Sequence, residues 1–131
     1  MATKEEVRRD IEQTIGFVPD WLASLPEATF EAEWRILKDR LLGRSAVPNK
    51  YKELIGLAVA AHMQCDYCVS LHAEFARYFG ATDDEIEDAV QMAKETAGWS
   101  AYFNGMQINL DQFKREVREI CDTLAAQEKA A

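Results

Sequence analysis

Apolar residues recur every three or four positions along almost the whole chain, and no stretch alternates them at every second position. That period belongs to helices, because 3.6 residues complete a turn, and it leaves no candidate for a sheet. Val7, Ile11 and Ile15 sit four apart in a segment over residues 3–15 that Gly16 ends. "GFVPDWLASLPE" follows and reads as an ordered connector with one short turn, pinned by Phe17, Trp21 and Leu22. Phe30, Trp34, Leu37 and Leu41 mark one face of a helix from Glu27 to Leu42, stopped by Gly43. The breaker "RSAVPN" leads into a helix over Asn49 to Met63. Its middle, "LIGLAVAA", is apolar on all sides, which predicts a central, buried helix, with Gly56 and the alanines letting neighbours pack close.

A further helix over residues 66–79 stops at Gly80. Thr82 and Glu85 form a capping box at the head of the next one, whose acidic first turn suits the helix dipole. Gly98 is expected to interrupt or bend it. "WSAYFNGMQINL" is aromatic-rich and helical, and Trp34, Trp99, Tyr102 and Phe103 are expected in the core or at a subunit interface. Phe113, Val117, Ile120 and Leu124 mark a last amphipathic helix over 111–127, with a fraying tail. No internal repeat or long linker divides the chain, so the expectation is one all-α domain over residues 1–131.

The 131 residues carry a formal charge of -8, from 23 acidic and 15 basic side chains. Non-specific nucleic-acid or anionic-membrane binding needs clustered Lys and Arg, and this balance opposes both. The N-terminal "MATKEEVRRDIEQ" has no apolar signal core, and "LIGLAVAAHM" is too short to span a bilayer. A cytoplasmic location is expected, where structural disulfides are rare. The three cysteines are therefore not read as a staple framework.

Two of them, with two histidines, fall within eleven residues: "HMQCDYCVSLH", residues 62–72. An unbroken helix through this stretch would place Asp66 in its interior, a poor position for a residue that favours N-caps. A turn near Gln64–Cys65 is predicted instead, with Asp66 capping the new helix, so that the flanking helices form an αα-hairpin. Cys68 then falls at N2, where backbone N–H groups and the dipole favour a thiolate. Cys65 lies three residues away, just outside the helix, close enough for a disulfide. His72 is one turn beyond Cys68 on the same face and can exchange a proton with it. Glu53, twelve residues before Cys65 on the facing helix, approaches His72 more easily than either sulfur. The order Glu53, His72, Cys68, Cys65 reads as a proton relay ending in a dithiol.

Other readings compete. The cysteines could be small buried hydrophobes. Glu53 alone is a first-turn acid, His62 a cap for C-terminal carbonyls, and Tyr67 a packing residue. Zinc is the strongest rival, since His62, Cys65, Cys68 and His72 are all ligand types. Strung along one helix axis, residues 65, 68 and 72 cannot all converge on one ion. A non-enzymatic redox-sensing or zinc-binding helical module is thus the alternative to an enzyme.

The constellation E-x11-C-x-x-C-x3-H, here Glu53, Cys65, Cys68 and His72, resembles the alkylhydroperoxidase D branch of the carboxymuconolactone decarboxylase superfamily. "ELIGLAVAAHMQCDYCVSLH" is similar to that family's core hairpin, "GATDDEIEDAV" to the segment after it, and "GFVPDWLASLP" to the upstream connector. The resemblance implies an all-α fold with the C-x-x-C at the second helix's N-terminus, and assembly into trimers or hexamers. It implies thiol redox chemistry without metal or flavin: disulfide or alkyl hydroperoxide reduction, with a lipoyl-bearing or thioredoxin-like dithiol as electron donor. It ties Cys68 to the Glu53–His72 relay and makes Cys65 its disulfide partner. Tyr67 stands where the best-known peroxidase members carry histidine. The lactone-processing branch is not defined by this cysteine pair, so the resemblance does not imply decarboxylation.

Overall fold

A computed structural model describes residues 2–130. The described residues are helices and short connections: α1 (Lys4–Ile15), α2 (Asp20–Ala23), α3 (Glu27–Leu37), α4 (Asn49–Met63), α5 (Asp66–Tyr78), α6 (Asp83–Gly105) and α7 (Leu110–Ala130). They divide into two compact units, one ending at Gln91 and one beginning at Met92, with the boundary inside α6.

In the first unit Val7 and Ile11 of α1, Leu22 of α2, and Phe30 and Trp34 of α3 form a buried cluster. Thr3 and Glu6 close a reciprocal capping box at the head of α1, and Gly16 ends it in the left-handed conformation at φ 91°. Asp10 accepts a hydrogen bond from the Trp34 indole at 2.6 Å and pairs with Lys38 at 2.7 Å. These bonds, the one to Lys38 first, hold the Asp10 carboxyl below its ordinary range. A lowered carboxyl stabilises the fold above its unfolded value, near ~3.9, and loses that contribution as pH falls through the folded value. Asp10 is 43% exposed, so solvent screening keeps the contribution below about 1 kcal/mol. Urea unfolding of Asp10→Asn beside wild type should show a small deficit at pH 7 that begins to shrink as pH falls below about 4 and is lost as pH falls through the lowered folded value. A deficit that does not shrink at acid pH would mean that lost packing, not charge, is responsible.

The expected helix from Glu27 to Leu42 has two parts. Beyond Leu37 the chain winds wider, over Lys38–Leu42, and the Gly43 N–H bonds back to the Lys38 carbonyl at 2.8 Å, five residues earlier. Gly43 fits because a Cβ there would lie 2.6 Å from the Asp39 carbonyl oxygen. The first turns of α4 clamp this end. Asn49 donates to the Leu42 carbonyl, and Lys52 donates to those of Arg40 and Gly43 at 2.7 and 2.8 Å.

α4 and α5 form the expected hairpin, but α4 is not buried on all sides. Glu53, Leu57 and Ala60 are its buried residues, while Ile55 and Val59 on the other side are more than half exposed. A helix this apolar is buried only where a neighbour covers it, and α5 and the Lys38–Leu42 turn cover one side. Gly80, at φ 89°, ends the hairpin's second arm. Thr82 and Glu85 cap α6 reciprocally, and Glu85 also pairs with Lys50 at the head of α4 at 2.8 Å.

In the second unit α6 continues through Gly98 without interruption, so the glycine does not break it. A lone glycine costs a helix only about 1 kcal/mol, and its neighbours here sustain the helical pattern. The turn comes at Gly105–Asn109, with Gln107 at φ 53°. α7 starts at Leu110 and continues to Ala130, three residues past the expected end. Trp34 is core, as expected, whereas Trp99 and Tyr102 are about half exposed.

Candidate active site

The hairpin reverses at Gln64. Its backbone is left-handed (φ 56°, ψ 41°), the Gln64 N–H bonds to the Ala61 carbonyl, and the Cys65 N–H reaches back to that of Ala60 at 3.1 Å. This is a Schellman closure, usually built on glycine. The next helix begins one residue earlier than expected from Asp66. Cys65 is the N-cap, extended at φ -97° and ψ 99°, and its sulfur accepts the Cys68 N–H at 3.3 Å. Asp66 is the first helical residue, and Cys68 is therefore N3 rather than N2. A cap is chosen by which side chain reaches the free N–H groups. The extended backbone after the reversal gives that geometry to the cysteine.

Cys65 and Cys68 are joined as a disulfide, their Cα atoms 5.3 Å apart. Three-residue spacing across the first turn of α5 brings them together. One turn on, His72 presents Nδ1 to Glu53 Oε2 at 2.7 Å. The imidazole is 20% exposed and the carboxylate is fully buried. Glu53 and His72 therefore meet across the hairpin, and Cys65 and Cys68 meet at the head of α5. Cys68 and His72 belong to the same face at i and i+4.

The small residues of the hairpin seam permit this approach. The His72 ring lies over Gly56, where a Cβ would come within 2.5–2.8 Å of three ring atoms. Ala60 and Ala76 are buried on the same seam. Glu53 Oε1 is buried without a hydrogen-bond partner. A buried carboxylate with one oxygen unsatisfied is costly, so this acid is poorly explained as a stabilising feature.

Tyr67, between the cysteines, is 90% exposed and so does not pack within the chain. His62 is exposed as well, and the carbonyls at the end of α4 are met by backbone N–H groups instead. Cys121 is exposed on α7. Among the described residues no three His, Cys, Asp or Glu side chains converge as metal ligands would. None of the described helices is long and apolar enough to cross a membrane.

Comparison with known proteins places this hairpin in context. A sequence model described as the carboxymuconolactone decarboxylase family matches residues 12–108. A protein of Paracoccus denitrificans known as uncharacterized protein 4 in the cox locus is 32% identical over 75 residues, covering 57% of this chain and 68% of the relative. An alkyl hydroperoxide reductase of Mycobacterium tuberculosis is 35% identical over 80 residues; the match covers 60% of this chain but 23% of that longer protein. Among solved structures, the alkylhydroperoxidase AhpD core from Rhodospirillum rubrum superposes with a TM-score of 0.72 at 27% identity, over 82% of each chain.

Proposed function

This chain belongs to the carboxymuconolactone decarboxylase family, in its alkylhydroperoxidase D-like branch, and from that premise we propose that it is a thiol-dependent oxidoreductase. It cycles Cys65 and Cys68 between dithiol and disulfide, with Glu53 and His72 as proton relay. The observation that carries this reading is the fully buried Glu53 carboxylate held 2.7 Å from His72, one turn from the sulfurs. Such a pair is costly to bury and serves proton transfer.

In the reduced protein Glu53 Oε2 accepts the His72 Nδ1–H, which fixes the tautomer with a free lone pair on Nε2. Nε2 takes the Cys68 thiol proton, directly or through a water. With a disulfide substrate, the Cys68 thiolate attacks one sulfur and releases the other, which leaves as a thiol with the proton from His72. Cys65 then attacks Cys68 Sγ, displacing the second substrate thiol and forming the intramolecular disulfide. With a hydroperoxide, the thiolate attacks the terminal oxygen and the O–O bond breaks. The alcohol leaves with the proton from His72, and the resulting Cys68 sulfenic acid is resolved by Cys65 with loss of water. Either way two electrons leave the dithiol, and an external dithiol of lipoyl or thioredoxin type restores it. Homo-oligomeric assembly, which the family resemblance implies, and the cytoplasmic setting expected from the sequence belong to the same proposal.

The deciding experiment exposes the reduced protein to an organic hydroperoxide and the oxidised protein to dihydrolipoamide, following the Cys65–Cys68 disulfide by mass. A two-proton mass loss with peroxide and its recovery with the dithiol, repeated over many turnovers, is expected. Stoichiometric oxidation that no dithiol reverses would overturn the catalytic reading.

A further inference from the structure

We propose that Asp66, which lies between the two cysteines in sequence, is a specificity-determining residue of the redox pair. It favours thiol partners that are neutral or cationic around the reacting sulfur and disfavours anionic ones. The proposal rests on the reading of Cys65 and Cys68 as a redox pair and adds the charge class of the partner. The α4–α5 hairpin separates its charges. No Lys or Arg occurs between Lys52 and Arg77, a stretch that holds both sulfurs, Glu53 and His72. The cations stand at the open end of the hairpin. At ~1.5 Å per residue, Lys52 is roughly 16 Å from Met63 along α4, and Arg77 is roughly 13 Å from Cys68 along α5. They are engaged where they stand. Lys52 donates to the Arg40 and Gly43 carbonyls, Arg77 pairs with Asp83 at 3.1 Å, and Lys50 pairs with Glu85 at 2.8 Å.

The tip is different. Its exposed side chains are those of His62, Met63, Gln64, Asp66, Tyr67 and Ser70: one carboxylate, and no Lys or Arg. No ion pair among the described residues includes Asp66. The other acid of the site, Glu53, is fully buried against His72. A helix start suits an acid because the positive end of the dipole, about half a unit charge, lies there. Alone, that end would draw every thiolate towards the sulfurs. A full negative charge on Asp66 more than offsets it. Nor does α5 depend on Asp66 for its cap, since the Cys65 sulfur accepts the Cys68 N–H. An unpaired carboxylate beside the disulfide, with no cation near it, sorts thiolates by their own charge.

In the exchange an external thiolate bonds to one sulfur of the pair and expels the other, which takes up a proton. A second thiolate attacks the external sulfur of the mixed disulfide, freeing the remaining cysteine and leaving an external disulfide. Each attacker brings one negative charge at sulfur, and its substituent sets the total. Across ~7 Å of water at low ionic strength, one unit charge changes an encounter about twofold.

The test measures the second-order rate at which three thiols reduce the Cys65–Cys68 disulfide of the oxidised full chain at pH 8, where an ordinary imidazole is uncharged. The thiols are cysteamine, mercaptoethanol and 3-mercaptopropionate, whose thiolates are net neutral, singly negative and doubly negative. Wild type is compared with Asp66→Asn, and taking each thiol against itself cancels its intrinsic reactivity. At ~0.01 M salt the variant should react about twofold faster than wild type with mercaptoethanol and about fivefold faster with 3-mercaptopropionate, with no change for cysteamine. At ~1 M salt the ratios should fall towards one, because the Debye length shrinks to ~3 Å. Asp66→Glu, which keeps the charge, should match wild type. A factor equal for all three thiols, or one that salt does not move, would overturn the selection by Asp66 and leave the redox pair standing. A disulfide that none of the three reduces would overturn the redox reading and this inference with it.

Discussion

Cys65→Ser and Cys68→Ser should each lower steady-state turnover by at least about a thousandfold, while leaving the helical signal and thermal midpoint close to those of the reduced wild type. The cycle ends in a bond between these two sulfurs, and a hydroxyl at either position can neither hold the oxidised state nor resolve it. The two variants should fail differently. Without Cys65, Cys68 can still attack, so a mixed disulfide or sulfenic acid should accumulate and be visible by mass. Without Cys68, little should accumulate, because the remaining sulfur lacks a base one turn along its own helix. Accumulation on Cys65 rather than Cys68 would reverse the order of attack. The fold should persist because both sulfurs occupy one turn at the hairpin tip, away from the Val7–Trp34 cluster. Cys121→Ala should leave turnover unchanged.

The second large effect lies at Glu53. Glu53→Gln keeps the volume of a fully buried side chain and changes its hydrogen bonding. An amide can donate to His72 Nδ1, which favours the tautomer carrying its proton on Nε2, where the base should be. A general base typically contributes about 10² to 10⁴ in rate, so a loss in that range is expected. The alkylation-rate profile of the reduced protein should move to higher pH. A merely structural acid would leave this profile unmoved. Stability should fall as well. Glu53→Leu takes away the partner of His72 Nδ1, and removing one member of a buried pair costs roughly 3–5 kcal/mol, so Glu53→Leu should be inactive with a lowered thermal midpoint. An active Glu53→Leu would remove the relay from the mechanism.

Much of this was readable from residue spacing, because local chemistry decided it. Gly16, Gly43 and Gly80 ended helices, and Thr82 with Glu85 started one. The reversal before residue 66 was legible from the misfit of Asp66 in a helix interior. Its details were not. Gln64 has no strong preference for the left-handed region, and it adopts it because the Ala60 and Ala61 carbonyls need partners. Cys65 took the cap from Asp66 because the extended backbone after the reversal aims its sulfur at the Cys68 N–H. The wider turn at Lys38–Leu42 depends on the clamp from Asn49 and Lys52, a contact between segments that no local pattern encodes. The exposed side of α4 shows a further limit. "LIGLAVAA" records that a helix can be covered all round, not which chain covers it. Within the site, the pairing of Glu53 with His72 followed from hairpin geometry, whereas the orphaned Oε1 could emerge only from packing.

The disulfide encloses a single helical turn, and so it is a weak rivet for the fold. Closing four residues restricts an unfolded chain by about 2 kcal/mol, against nearly 5 for a hundred-residue loop. Reduction therefore threatens this protein little, and its tolerance of heat should differ only modestly between the two redox forms. On the proposed cycle, the pair would be discharged and recharged repeatedly without risking the scaffold that carries it.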